Sequence, residues 1–395
     1  MRSRLIVFGF CASFGPLSTH LIVPVLADIA DSFDVGLASV QLALSTYLVG
    51  LAMGQFVVGA LADRFGLGRV LIGGLSIHFL ASLVLAIAPS FDVFLAARAV
   101  HGLSGSAGMV IALAAIGRSR SPHMAVYGGY LMAWLSLMTM VAPVIGAFLA
   151  ERFGWRGIFD ATAVLVLAAL ALALWQIWRD RSHQPEPLSH GTSSLIADAR
   201  VLARNRTLIV HACEIAMTIG AFYFFIGVLP YATRDVFDLD VRGVGAWLFV
   251  VSTGLAVGVL GAGFIKPLAV PRTGILVGAL VMAVATAVPL VLFAVRGSIA
   301  APALFIPIAV MAAGQTVVLS RAQIGAIESA PDRPGTAAGI CGALQFAAGA
   351  VFAFLGGALV ETVQGFLPAL VGLFLMCSAI AGIAAMHLRS RTHST

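Results

Sequence analysis

The chain has 395 residues, 60% of them hydrophobic and only 10% charged, with 23 Lys and Arg against 17 Asp and Glu for a net charge of +6. A soluble domain carries roughly a quarter charged residues, so this balance excludes an ordinary soluble enzyme and indicates a chain that crosses a membrane many times.

Apolar stretches of about 20 residues, enough at 1.5 Å rise to span the hydrocarbon core, recur from end to end. Twelve are expected: 5–27, 39–62, 70–89, 91–116, 124–150 and 157–178, then 207–231, 242–265, 273–295, 299–319, 334–360 and 365–388. The opening MRSRLIVFGFCASFG imitates a secretory leader, with Arg2 and Arg4 before an apolar run. No convincing small-residue cleavage site follows, so it reads as a retained first helix. With both termini taken as cytoplasmic, most of the 23 basic residues fall in cytoplasmic segments, as the positive-inside rule requires. The net charge therefore reports topology and gives no reason to expect nucleic-acid binding. Cys11, Cys213, Cys341 and Cys377 all fall within spans without metal-ligand spacing, so they read as small core residues.

Between spans six and seven, RDRSHQPEPLSHGTSSLIADARVLARNR is polar, basic and proline-bearing, as expected of a cytoplasmic linker. The predicted organisation is an N-terminal six-helix half over 1–178, a linker over 179–206 and a C-terminal six-helix half over 207–395. GLAMG at 50–54 recurs as GLAVG at 254–258, each in the second span of its half, with glycines spaced for close helix contact. Tandem halves of this kind build many secondary transporters, with substrate held between them near the midplane.

After the second span comes GALADRFGLGR (59–69), a glycine-bearing charged turn. It resembles the signature loop of the major facilitator superfamily in Gly59, Leu61, Asp63, Arg64 and Gly66, with Arg69 closing it, while Leu67 and Gly68 stand where basic residues are usual. RAVHGLSGSAG (98–108) is similar to the family's fourth-helix motif, with Arg98 as its buried arginine and His101 where glutamine is usual. APVIGA (142–147), carrying Pro143 and Gly146, resembles the fifth-helix pattern of the proton antiporters. FGWRGIF (153–159) and PGTAAGICGALQ (334–345) resemble drug exporters, the latter the bicyclomycin-resistance branch. The resemblance implies an all-α membrane protein of twelve transmembrane helices, in a bacterial inner membrane, working as a monomer.

An arginine near the bilayer centre is costly, so Arg98 should face the interior with a partner. It lies about seven residues, roughly 10 Å, inside the outer end of its span, a depth that His20 shares in span one. The family places an aspartate where His20 sits. A carboxylate would neutralise Arg98, whereas a protonated imidazole would repel it, so His20 is expected to be neutral. It then bonds a backbone carbonyl or Ser18, or serves as an acceptor for an Arg98 N–H or a hydrogen-bonding handle for substrate, with carriage of the coupling proton by His20 itself as the alternative. Glu214 or Asp28 is left to carry the proton, with an interfacial pairing of Glu214 to a linker arginine such as Arg206 as the alternative. His211, three residues before Glu214, makes too weak a pair for a metal site. His78 reads as packing. Arg321, Gln323 and Glu328 read as a solvated loop. Phe222, Tyr223 and Phe225, with Tyr47, Gln55, Trp134, Gln315 and Gln345 in the family's cavity-lining spans, would form an apolar pocket with a few polar handles.

The function expected is proton-coupled efflux of small apolar, neutral or anionic compounds by alternating access. Transport of one specific metabolite is the alternative, and a non-transporting membrane sensor a remote one. No convergent catalytic set is present, so an enzyme is not expected. The expected partners are a small-molecule substrate, protons and the lipid bilayer, with no cofactor and no metal.

Overall fold

The computed structural model describes residues 2–118, 124–179, 204–264, 271–330, 334–363 and 366–389. The expected linker lies outside them except for Arg179 and 204–206. Among the described residues every regular element is helical, as the unbroken apolar runs demand where no water can satisfy the backbone.

The first crossing is built in pieces: α1 (Arg2–Ala12), α2 (Phe14–His20), a 3-10 turn (Val23–Val25) and α3 (Leu26–Phe33). Pro24 has no N–H to donate and so sits at the start of that turn. Next come α4 (Leu37–Phe65), α5 (Leu67–Ala86), α6 (Phe91–Arg118) and α7 (Met124–Arg179). The single residue Gly66, at φ 87° and ψ 152°, separates α4 from α5. The 56-residue α7 is interrupted at Gly154, at φ 71° and ψ 173°. Both lie in a region of backbone space that is essentially reserved for glycine. The second part contains α8 (Arg206–Tyr231), a π turn (Ala232–Val236), α9 (Val241–Phe264), α10 (Pro271–Arg296), α11 (Ala301–Glu328), α12 (Pro334–Val363) and α13 (Phe366–Arg389).

Eleven helical segments among the described residues are long and apolar enough to cross a membrane. One of them, Tyr130–Gln176, has 47 residues, about 70 Å of helix against a hydrocarbon core of about 30 Å. It accounts for two crossings that meet at Gly154, which brings the total to twelve. The loop expected between spans five and six is thereby reduced to one non-helical residue.

By contact density the chain forms two compact units, Met1–Phe33 with Leu42–Ile196, and Asp34–Gln41 with Ala197–Thr395. In the first, α5 packs on α6 and α7; in the second, α11 packs on α8, α9 and α10, and α12 on α8. The two GLAxG stretches explain one contact in each. A Cβ at Gly50 would overlap the Ala99 carbonyl oxygen, and one at Gly54 the Ser106 hydroxyl. A Cβ at Gly254 would overlap the Ala309 carbonyl, and one at Gly258 the Ala313 carbonyl. In both units the second span therefore meets the fourth backbone to backbone, along a seam opened by glycines four residues apart.

A second repeated feature lies upstream. Asp34 and Asp238 are the non-glycine residues with positive φ among those described, at 53° and 47°. Each ends a matching stretch, Asp31-Ser32-Phe33-Asp34 and Asp235-Val236-Phe237-Asp238. Aspartate is among the few side chains that tolerate this conformation. The neighbouring phenylalanine anchors each corner: Phe33 lies 5.5 Å from both Phe94 and Trp155, and Phe237 lies 6.1 Å from Phe305 and 6.2 Å from Phe366.

Candidate functional site

The site grows from three small residues on one face of α6. A Cβ at Gly102 would overlap the Tyr47 carbonyl, one at Gly105 would fall 2.8 Å from the Tyr47 hydroxyl, and one at Gly108 would overlap the Cys11 carbonyl. Because these positions are bare, α4, α5 and the first crossing close around the side chains that α6 does carry on that side, Arg98 and His101. Helical spacing of three and four residues aligns them.

Arg98 and His101 are completely buried, as is Tyr47. The Arg98 guanidinium donates through Nε to the Ala43 carbonyl at 2.9 Å and through Nη1 to the Ser18 carbonyl and to His101 Nδ1, at 3.4 and 3.3 Å. Its Cζ lies 4.1 Å above the Tyr47 ring, and the Tyr47 hydroxyl donates to the Gly15 carbonyl at 3.0 Å. The contacts of Arg98 among the described residues include no carboxylate. Its Nη2 is buried without a hydrogen-bond partner. The cation is therefore held by carbonyl dipoles, an imidazole lone pair and an aromatic face.

His78 belongs to the same cluster. Its ring stacks on His101 with centroids 3.9 Å apart and planes 12° from parallel. His78 Nδ1 lies 3.0 Å from the His101 carbonyl, and its Nε2 lies 3.4 Å from Ser18 Oγ. His101 Nε2 lies 3.1 Å from Ser82 Oγ, which donates to the His78 carbonyl at 2.8 Å.

Two sequence expectations are corrected here. The imidazole on Arg98 is that of His101 and not of His20, which is half-buried and takes the backbone-carbonyl alternative, bonding through Nδ1 to the Pro16 carbonyl one turn back at 2.9 Å. His78 is part of the polar cluster as well as of the packing. A usable signal was present: His78 and His101 each precede a serine by one helical turn, Ser82 and Ser104, a spacing that suits a buried hydrogen-bonded ring. Asp28 is exposed in the first turn of α3, outside this cluster.

The turn at Gly66 completes the geometry of this unit. Asp63 is half-buried at the end of α4, Arg64 and Arg69 are exposed, and Arg64 Cζ lies 5.2 Å over the Phe65 ring. Gly59 has open space around it. In α7, Pro143 is buried and Gly146 lies directly against the Leu21 carbonyl. A buried arginine on the fourth span, a charged glycine turn after the second and a proline in the fifth thus occur together, and the family model of the Major Facilitator Superfamily matches residues 8–353. The chain belongs to the Major Facilitator Superfamily. It is a multi-pass membrane transporter. Similar proteins include an uncharacterized MFS-type transporter, YdgK, of Bacillus subtilis, 27% identical over 89% of this chain and 87% of the relative. A bicyclomycin resistance protein homolog of Haemophilus influenzae is 26% identical over 98% and 96%. A chloramphenicol resistance protein of Pseudomonas aeruginosa is 26% identical over 56% and 52%.

The other polar side chains of this superfamily member are distributed around the two units. Trp134 donates through Nε1 to Ser13 Oγ at 2.6 Å, and Gln55 is half-buried. In the second unit Glu214 is completely buried, and its Oε2 meets His211 Nδ1 at 2.8 Å. This contact takes the place expected for Arg206, which is exposed two turns away at the start of α8. Gly325 on α11 makes room for the ring, since a Cβ there would overlap His211 Nε2. Phe222, Tyr223 and Phe225 are buried; Phe222 and Tyr223 meet edge to face at 5.7 Å, and Phe225 meets Phe305 at 6.3 Å. Gln315 is buried, and its Oε1 has no hydrogen-bond partner. Gln345 accepts from Gln323 at 3.1 Å. The end of span ten is not a loop: α11 continues through Glu328, and Arg321 donates to the Ala262 carbonyl. Among the described residues no group of three or more His, Cys, Asp or Glu is placed to hold a metal.

Proposed function

We propose that the protein exports small neutral or anionic compounds from the cytoplasm across a bacterial inner membrane, by alternating access and in exchange for protons. In this reading both termini are cytoplasmic, and a monomer is the working unit. The observation that carries the choice of solute is the surroundings of Arg98: a buried cation whose contacts are two carbonyls, an imidazole and a phenol ring, with Nη2 unpartnered. A lipophilic cation brought close to it meets uncompensated like charge in a medium of low dielectric. A carbonyl, nitro or carboxylate oxygen meets a donor. The names of the bicyclomycin and chloramphenicol resistance relatives agree with compounds of the neutral kind. Glu214, held by His211, is the proposed proton carrier, since it is a carboxylate buried inside α8.

The test is uptake into proteoliposomes under an imposed pH gradient, comparing labelled chloramphenicol with a labelled quaternary ammonium compound. Gradient-driven movement of the phenicol and not of the cation is expected. Preferential movement of the cation, or uptake indifferent to the gradient, would overturn the reading.

A further inference from the structure

The hydrogen-bond polarity around His78 and His101 can be worked out atom by atom. Arginine only donates, so His101 Nδ1, 3.3 Å from Arg98 Nη1, must present its lone pair. The proton of a neutral His101 is then on Nε2, directed at Ser82 Oγ, whose own proton is taken by the His78 carbonyl. A carbonyl only accepts, so His78 Nδ1, 3.0 Å from the His101 carbonyl, must carry its proton. Ser104 Oγ, 3.2 Å from the same nitrogen, already donates to the Val100 carbonyl and is free to accept. His78 Nε2 is left as the acceptor facing Ser18 Oγ. The two stacked rings therefore hold opposite tautomers, each fixed by partners of fixed polarity.

A further proton has no good place in this arrangement. On His101 it would occupy Nδ1 and face the Arg98 N–H head on. On His78 it would add a second cation 3.9 Å from His101, in a cluster already holding Arg98. The titratable and charged groups that face the pair are Tyr47 from α4 and Arg98 from α6; α7 contributes the Phe159 ring, and α2 contributes Ser18. No carboxylate is among these contacts.

We propose that His101 and His78 are positioning residues, a neutral pair of opposite tautomers, each with a single ring proton, that fixes the direction of the Arg98 guanidinium for the transported solute. The role given to Arg98 rests on the transport reading above; the protonation state of the pair does not. The coupling proton is carried elsewhere.

Two measurements test this. In protein labelled with 15N-histidine and reconstituted in lipid nanodiscs, the ring nitrogens are followed over roughly pH 5 to 8, the range in which an ordinary histidine titrates. His101 should show Nε2 protonated and Nδ1 bare, His78 the reverse, without change across the range. Gain of a second proton by either ring overturns the proposal, whether or not the protein transports anything. In transport, His101→Gln offers an acceptor to Arg98 and a donor to Ser82 from one side chain, so it should stay within about twofold of the parent with the same pH profile. His101→Leu offers neither and should raise KM about tenfold with little change in kcat. A shifted pH profile in His101→Gln assigns the proton to this ring and overturns the proposal, as does unaltered KM in His101→Leu. If the parent protein fails to transport, the transport reading falls while the nitrogen signals still decide the state of the pair.

Discussion

The guanidinium of Arg98 lies 4.1 Å above the ring of Tyr47, and the phenol is itself tethered to the Gly15 carbonyl at 3.0 Å. One side chain thus serves two purposes, a face for the cation and a hydroxyl that ties α4 to the first crossing. Tyr47→Phe keeps the face and should lower stability by about 1 kcal/mol, the worth of one hydrogen bond. Tyr47→Leu removes both and should lower it by about 2 kcal/mol or more. Thermal unfolding of the purified variants checks this. Equal effects of Phe and Leu would mean that the aromatic face contributes nothing.

Gly102 has no room for a methyl group, because a Cβ there overlaps the Tyr47 carbonyl oxygen, which belongs to a helix backbone and cannot move alone. Gly102→Ala should therefore destabilise by about 1–3 kcal/mol, as overpacking does. Gly73→Ala, in the middle of α5 with nothing nearby, should be neutral or stabilising by up to about 1 kcal/mol. The contrast is readable in the same unfolding assay, where equal behaviour would refute the close approach of α4 and α6.

Gly66 and Gly154 have open space, so their constraint is the backbone alone. At φ 87° and 71° with ψ 152° and 173°, even asparagine gains no relief, since this region differs from the left-handed helical one it tolerates. Ala and Asn at either site should both cost about 1–3 kcal/mol. Asp63→Asn, three residues before Gly66, should instead leave stability within about 0.5 kcal/mol and slow turnover by removing a helix-end charge. An Asn variant at Gly66 as stable as the parent would contradict the backbone argument.

Glu214 and His20 should separate in a coupling assay. Glu214→Gln retains a hydrogen-bonding shape for His211 but binds no proton, so gradient-driven uptake should disappear while exchange of solute at equal pH persists. His20→Gln should keep the response to the gradient and change only affinity, since the His20 ring is held to its own helix by the Pro16 carbonyl. Loss of coupling in His20→Gln alone would move the proton carrier to the first crossing.

The number of crossings, the signature turn and the burial of Arg98 were legible in the sequence because each rests on a strong local cost: apolar length, a glycine-only backbone or a charge in hydrocarbon. The partner of Arg98 was not. Depth along a span places His20 and Arg98 at one level, but the azimuth of a side chain around its helix depends on tertiary packing, and that azimuth gives His101 to Arg98 and turns His20 back on Pro16. The Asp-x-Phe-Asp corners stand in the sequence but are not legible there, because two short stretches 204 residues apart acquire meaning only through their common positive φ.

The glycine seams carry a mechanical consequence. Where side chains interdigitate, a helix pair can accommodate motion by rotamer changes, but Gly50 and Gly54, and again Gly254 and Gly258, bring their own bare backbone against carbonyl oxygens of the facing helix and the short side chains of Ser106 and Thr316. Such a joint has no soft layer. A stiff seam of this kind favours bending elsewhere, and the two units offer such places where the α-helix gives way: the first crossing between His20 and Leu26, and the π turn that follows α8.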